Sequence, residues 1–466
     1  MQALKPPEEE EIAALRVLHV ATEGYEAACA VLRRTTLQDN PRVEAIVREI
    51  IADVKARGDA ALLELSRRFD APELETLEVP RADWDAAEAR ITPELRAAVE
   101  KAAANIAAFH AKQRRTSWLD AQPGQISGQL VRPLDRVGLY VPGGTAAYPS
   151  TVLMTAIPAQ VAGVPEIVLC TPAQKDGRVS PLVLYAAQVA GVRRVFTVGG
   201  AQAVAALAFG TATVPAVDKV VGPGNVYVNV AKKLLWGVVD IDMLAGPSEV
   251  CVVADEGANP AFAALDLLTQ AEHDTECAAY LITPSESLAQ AAQEEIERQL
   301  VSLPRRAILR EALDNHGAIL IAESLAQAYD LANVCAPEHL ALMVRDPFAA
   351  LGHIRNAGAI LMGDYAPQTL GDYLAGPSHT LPTSGTARFA SPLHVDTFLK
   401  KSSFIYYTPE SLGQVACALD AFARAEGFDA HAQAVGVRRE RSQQDEQDFS
   451  GFTGLQTREK PSTQLS

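Results

Sequence analysis

The chain has 466 residues, a formal net charge of −16 and 48% hydrophobic residues, and it is long enough to bury more than one core. Its acidity argues against a nucleic-acid partner, which needs a concentrated basic face; six scattered cysteines with no C-x-x-C pair argue against a disulfide framework or a thiolate zinc site. That cysteine usage fits a reducing, cytoplasmic compartment.

The first residues carry Pro6-Pro7 and then Glu8 to Glu11, the opposite of a basic leader, and the four acids suit the first turn of a helix. Residues 43–69 space Ile46, Ile50, Val54, Leu62 and Leu65 near the helical period, with a break at Gly58. A second helix is expected within 83–113, where Thr92-Pro93 supplies an N-cap and a proline at the first helical position. After Arg132 the texture changes to short apolar runs closed by Gly or Pro. The run 137–141 enters Pro142-Gly143-Gly144, 166–170 meets Thr171-Pro172, 194–198 enters Gly199-Gly200, and 219–221 ends at Gly222-Pro223-Gly224. Ala-rich helices are expected at 182–190 and 201–210. Two uncharged windows, 137–165 and 195–217, exceed the ~20 residues of a membrane helix, but these glycines and prolines cut both, so no membrane partner is expected.

A second alternation follows. Strands are expected at 249–254, 278–282, 318–321 and 340–344, with helices near 259–273, 288–300 and 324–334. Strands alternating with helices predict an α/β protein of βαβ units on parallel sheets, in two domains. From Gly436 the composition turns polar and loses its period, which predicts disorder.

Glycine turns after strands can cradle phosphate through free backbone N–H groups at a helix start. G-x-G-x-x-G is absent here, so spacing alone leaves tight packing turns as an equal reading. Nine histidines are the second handle. Gln270 and His273 sit i, i+3 on a capped helix, Glu338-His339 opens an apolar strand, and His379 follows Gly371-Asp372-Tyr373. Nitrogen and oxygen donors suit Zn²⁺ or Mn²⁺. The set is dispersed, and chemistry alone favours Glu272 or Asp274 over Gln270 as a ligand. His19, His110, His316 and His353 read as surface or packing residues, Met154, Met243 and Met362 as core fillers, and Asp255 and Asp266 as caps or solvated positions.

The strings VGLYVPGG (137–144), VGGAQAVAALAFG (198–210), VGPGN (221–225), DMLAGPSEV (242–250), DLLTQAEHD (266–274), APEHL (336–340) and AGAILMGDYAPQTLGDYLAGPSHTLPT (357–383) stand in order, with Glu426 and His431 downstream. Over roughly 105–435 the series closely resembles the histidinol dehydrogenase family. The resemblance implies that Gln270, His273, Asp372 and His431 hold one zinc per subunit and that Glu338 and His339 are the catalytic pair. It implies NAD contacts at Tyr140, Gln202 and Asn225, and substrate contacts at Ser248, His339 and Glu426 together with the zinc ligands. It also implies a homodimer in which Glu426 and His431 reach the neighbouring subunit's site. The fold implied is two incomplete Rossmann-like domains, similar to aldehyde dehydrogenases, which accords with the missing glycine fingerprint.

On that basis 1–35 is expected as an N-terminal helical extension, and 36–138 with 250–390 as a first α/β domain. Residues 139–249 form a second, NAD-contacting domain, 391–440 a helical segment completing the partner's site, and 441–466 a disordered tail. Ser378 stands where an Asn is common and His394 where a small residue is usual; neither touches an assigned ligand.

The implied reaction removes four electrons from L-histidinol, passing through L-histidinaldehyde to L-histidine, and uses two NAD⁺ in turn. His339, with an ordinary imidazole pKa near ~6.5, would take the alcohol proton. Glu338 would activate water, because the aldehyde must become its hydrate before it has a hydride to give. Zinc would mainly orient the substrate. A thiohemiacetal through Cys335 or Cys277 is the rival route, weighed against the habit of such cysteines to be core residues. Other functions weighed are a homologue oxidising another polar alcohol, such as a sulfonated diol, a zinc hydrolase using Glu338, and a non-catalytic scaffold. Glu426 with His431 argues against the first of these, and the three glycine turns argue against the hydrolase.

Overall fold

Runs that are apolar on every residue need cover on both faces, and two parallel sheets supply it. A computed structural model of the chain describes residues 15–34, 40–143 and 147–454. The helical turn expected at Glu8 to Glu11 and Gly144 of the first glycine turn lie outside the described residues. Among the described residues the strands are β1 (Arg16–His19), β2 (Trp118–Gln122), β3 (Gln125–Pro133), β4 (Arg136–Tyr140), β5 (Glu166–Cys170), β6 (Arg194–Phe196), β7 (Lys219–Val221), β8 (Asp240–Ile241), β9 (Glu249–Ala254), β10 (Ala278–Thr283), β11 (Gly317–Ile321), β12 (His339–Met343), β13 (Ala359–Met362) and β14 (Leu399–Tyr407).

The chain divides into two units, 1–114 with 133–399, and 115–132 with 400–466. The first unit holds a five-stranded sheet of order β6-β5-β4-β7-β8 and a six-stranded sheet of order β1-β11-β10-β9-β12-β13, parallel throughout. Each is a doubly wound Rossmann-like arrangement whose order turns back once, β4 beside β7 and β9 beside β12. Every residue of β9, β10 and β12 is buried.

The helices begin and end where the capping residues stand. Pro41–Arg57 and Asp59–Phe69 are separated by Gly58, and Thr92 accepts the Leu95 N–H at 3.3 Å to open Pro93–Ala111. Packing corrects the expected domain division. Val43, Val47, Leu62 and Leu65 share a core with Val204, Leu207 and Val228, and Ile106 shares one with Val152 and Ile157. Residues 41–111 therefore cover the five-stranded sheet, not the six-stranded one with which the expected division grouped them. The expected helical extension 1–35 includes β1, which pairs with β11 at the edge of the six-stranded sheet.

In the second unit β2 and β3 form an antiparallel hairpin around Pro123-Gly124, with β14 beside β3, then helices Pro409–Ala425 and Asp429–Gly454. The segment 391–440 thus holds a strand, β14, ahead of its α-helices, and the polar stretch past Gly436 is helical to Gly454. No sequence signal marked β2: all its residues are exposed, so no face alternates.

A buried ion pair braces the turn after β7. Lys232 and Asp242, each 1% exposed, meet at 2.7 Å, while Lys232 Nζ also donates to the Gly222 carbonyl and Asp242 Oδ2 accepts the Gly222 N–H at 2.7 Å. Gly222 has φ 118°, and a Cβ there would lie 2.0 Å from the Tyr140 carbonyl oxygen, so only glycine fits. Removing one partner leaves a buried, unpaired charge. Asp242→Leu is therefore expected to lower unfolding free energy by about 3–5 kcal/mol, and the Lys232→Met, Asp242→Leu pair by clearly less, measured by urea denaturation. Equal losses in both variants would contradict this account.

Candidate active site

The helix Leu325–Cys335 ends on Ala336, whose φ of 45° is left-handed. An alanine held there costs about 1 kcal/mol or more, a strain that turns the chain sharply through Pro337 into Glu338 and β12. Gly358 lies against that corner: a Cβ on it would stand 2.6 Å from the Glu338 carbonyl oxygen, which accepts the Ala359 N–H at 2.8 Å. Glu338 and His339 come at the amino end of β12, and Ser248 and Glu249 at the amino end of its neighbour β9.

Glu338 is 6% exposed; its Oε2 accepts the Glu249 N–H at 3.0 Å, and Ser248 hydrogen-bonds the same carboxylate. Burial raises its pKa against these donors. His339, 5% exposed, stands between two carboxylates, with Nδ1 3.8 Å from Glu338 Oε2 and Nε2 3.5 Å from Asp372 Oδ1. Burial alone would lower the imidazole pKa; the two carboxylates outweigh it and the net shift is upward. Nδ1 is buried and has no hydrogen-bond partner. Asp372 faces His339, His379 and His273, which hold its pKa below the ordinary value despite burial.

The same corner gathers the candidate ligands of this chain. Gln270 is 1% exposed near the end of helix Pro260–Ala271, and its Oε1 accepts from Gln368 Nε2 at 2.7 Å. His273 lies just past the helix, its N–H donating to the Gln270 carbonyl at 3.3 Å, and desolvation lowers its pKa, which favours the neutral ring. A neutral imidazole, an ionised carboxylate and an amide carbonyl fit a borderline cation such as zinc, which takes one more donor to complete four-coordination. Among the described residues no three His, Cys, Asp or Glu side chains by themselves form a metal site. Asp274, favoured on chemistry alone, caps its own turn by accepting the Glu276 N–H at 3.0 Å.

The glycine turns lie at the carboxyl edge of the five-stranded sheet. Tyr140 closes β4, 3% exposed, and its hydroxyl oxygen accepts the Gly200 N–H at 3.1 Å; burial pushes its pKa up to about 12. Gln202, 3% exposed, holds Oε1 over Gly200. Asn225 caps helix Val226–Leu235, its Oδ1 accepting the Tyr227 and Val228 N–H groups at 3.1 and 3.2 Å. Glu426 and His431 belong to the second unit; both side chains are exposed, and the His431 ring lies 5.1 Å from that of Phe428.

Three residues acquire a place that no assignment gave them. His379 joins the imidazoles around Asp372, as its position after Gly371-Asp372 hinted. Asp266, expected as a cap or a solvated position, is 5% exposed, and its carboxyl feels the charges of His339 and Asp372. Glu249, 1% exposed, is anchored by the Ser384 N–H at 2.7 Å and by that of Gly385; a Glu opening an otherwise apolar strand was the available signal. The thiols fit a core role. Cys335 is 2% exposed against Cys251, and burial pushes Cys277 up to about 12, so neither is a ready thiolate.

Doubly wound sheets, a buried acid–base pair and glycine turns at a sheet edge define an α/β oxidoreductase. The chain matches the histidinol dehydrogenase family over residues 32–439. It is 54% identical over 401 residues to histidinol dehydrogenase of Moorella thermoacetica, covering 85% of this chain and 95% of that one. It is 52% identical over 413 residues to that of Geobacillus kaustophilus, covering 88% and 97%. The crystal structure of histidinol dehydrogenase from Elizabethkingia anophelis superposes with a TM-score of 0.87 at 36% identity, covering 91% of this chain and 98% of that one. The chain belongs to the histidinol dehydrogenase family and acts on a small-molecule substrate.

Burial, with help from the Glu338 charge, pushes the Glu249 carboxyl up to about 7 against the pull of Arg34 and the two N–H groups. The folded protein then holds this proton after the unfolded chain has lost it, so stability falls as pH rises from the ordinary 4.5 to about 7 and levels off above. The loss is on the order of 3 kcal/mol. Glu249→Gln is expected to flatten that decline in urea midpoints taken across the window; an unchanged slope would show that Glu249 does not cause it.

Proposed function

We propose that the chain is a zinc-dependent, NAD-linked histidinol dehydrogenase that oxidises L-histidinol through L-histidinaldehyde to L-histidine. The observation that carries the reading is the buried His339 imidazole set between Glu338 and the Asp372 corner. His339 takes the proton of the substrate alcohol, and its neighbouring carboxylates stabilise the imidazolium that forms. Glu338, made more basic by burial, takes a proton from water as it adds to the aldehyde. Ser248 and the Glu249 N–H keep that carboxylate in one orientation. NAD⁺, at the turns around Tyr140, Gln202 and Asn225, would supply the hydride acceptor for both oxidations. Zinc, on Gln270, His273 and Asp372 with His431 of a second copy, would supply positive charge that orients the substrate's imidazole and amine.

The second unit supports a homodimer, since Trp118, Leu119, Ile405, Tyr406, Phe422 and Phe428 are each more than half exposed there. Free cysteines fit a cytoplasmic setting, and no described helix is long and apolar enough to cross a membrane.

Purified protein with L-histidinol and NAD⁺ is expected to give two NADH per histidine and to lose activity on chelation. Glu338→Gln should slow acid formation about 10²–10⁴-fold more than the first oxidation, so that NADH per substrate falls toward one in early turnover. Cys335→Ser should leave acid formation near normal. One NADH with free aldehyde from the unaltered protein, or none at all, would overturn the mechanism.

A further inference from the structure

Residues 242–248 run from β8, at the edge of one sheet, to β9, inside the other, and so join the turn after β7 to Ser248 and Glu249. Helix Val226–Leu235 bonds to both ends of that path through two side chains one turn apart on one face, Asn229 and Lys232. Lys232 Nζ lies 2.7 Å from Asp242 Oδ1 and donates to the Met243 carbonyl at 3.4 Å. Asn229, 4% exposed, bonds in both directions. Its Nδ2 donates to the Gly224 carbonyl at 2.9 Å and to that of Asn225 at 3.3 Å, while its Oδ1 accepts the Ala245 N–H at 3.2 Å. The next residue, Gly246, donates its N–H to Thr383 Oγ1 at 2.5 Å, and the neighbouring Ser384 N–H anchors Glu249. Glu249 in turn donates its N–H to Glu338. The glycine turn and the Glu338 corner are thus connected bond by bond.

Asparagine is a poor helix former, and an apolar residue would fill a buried helix face at less cost. What it offers is a neutral amide that donates at one end and accepts at the other, matching the Gly224 carbonyl and the Ala245 N–H. Asn225 uses its own side chain as the helix cap, so the turn is held by its carbonyls: two by Asn229, and that of Gly222 by Lys232. The turn has no slack, since a Cβ on Gly224 would stand 2.4 Å from the Val228 side chain.

We infer that Asn229 is a positioning residue for the cofactor: it fixes the 222–225 turn against the 242–248 segment, and so sets where the nucleotide lies relative to Ser248 and Glu249. The inference rests on the NAD reading of the glycine turns.

The test uses the full chain and NAD⁺ itself, with binding measured by titration calorimetry and backbone exchange by hydrogen–deuterium mass spectrometry. Asn229→Ala is expected to weaken NAD⁺ binding about tenfold and to speed exchange over 243–247, with the folded circular dichroism spectrum kept. A role confined to stability would lower the urea midpoint and move neither quantity. Asn229→Asp keeps an acceptor for the Ala245 N–H but turns a carboxylate oxygen toward the Gly224 carbonyl. It should weaken NAD⁺ at least as much, while exchange over 243–247 and KM for L-histidinol stay unchanged. If neither variant folds, the unaltered chain answers: NAD⁺ should slow exchange over 243–247, and protection that stops at the turns overturns the inference. Unchanged NAD⁺ affinity in either folded variant overturns it as well, as does an Ala variant whose 243–247 segment exchanges no faster. An unaltered protein that binds no NAD⁺ overturns both the inference and the NAD reading; NAD⁺ binding that is indifferent to residue 229 overturns the inference alone.

Discussion

His339 is held between the carboxylates of Glu338 and Asp372 at 3.8 and 3.5 Å, and the rest of the first unit serves to keep that imidazole where it is. Ionisable groups resist burial unless each faces an opposite charge or a donor. Here Asp372 has three imidazoles, Glu338 has Ser248 and a backbone N–H, and Glu249 has two N–H groups behind it. The left-handed Ala336 and the close approach of Gly358 are the backbone conditions for the arrangement. Strain at one and the absence of a side chain at the other bring two β-strand starts, β9 and β12, into line.

The two sheets have the same winding but use opposite edges. The glycine turns lie at the carboxyl ends of the five-stranded sheet, where ligands of open α/β folds usually dock. The acid–base cluster lies at the amino ends of β9 and β12, where the six-stranded sheet turns back on itself. Lys232 and Asp242 stiffen the first edge around Gly222, and the Gln368–Gln270 hydrogen bond links two elements at the second.

The parallel strands were legible because burial on both faces leaves a plain signature, an apolar run closed by Gly or Pro. The helices of 41–111 were legible as helices, but an amphipathic stripe says that a face is buried without saying against what. They cover the sheet that follows them. The hairpin of 118–133 gave no pattern because β2 is exposed throughout. Site residues divided in the same way. Glu338-His339 stood out as an acid–base pair at a strand start, and the motif series pointed to Gln270 where chemistry preferred its acidic neighbours. Glu249 stood out only as an acid opening an otherwise apolar strand, since its anchor, Ser384, lies 135 residues away. Asn225 carries a capping pattern as well as a motif position, and its side chain is engaged in the cap.

Those separations bear on how the molecule is made. The five-stranded sheet is complete once residue 241 has left the ribosome, with its covering helices already synthesised. The six-stranded sheet must wait: β1, with Arg16 opposite Ala318, has its partner only after some three hundred further residues. The Glu249–Glu338 bond spans 89 positions, and the anchor of Glu249 at Ser384 spans 135. Such distant closures are slow to form and leave strand edges uncovered meanwhile. A nascent chain therefore passes through a stage in which one half is folded while the half that carries Glu338 and His339 is still an open template, and it is there that chaperones have the most to protect.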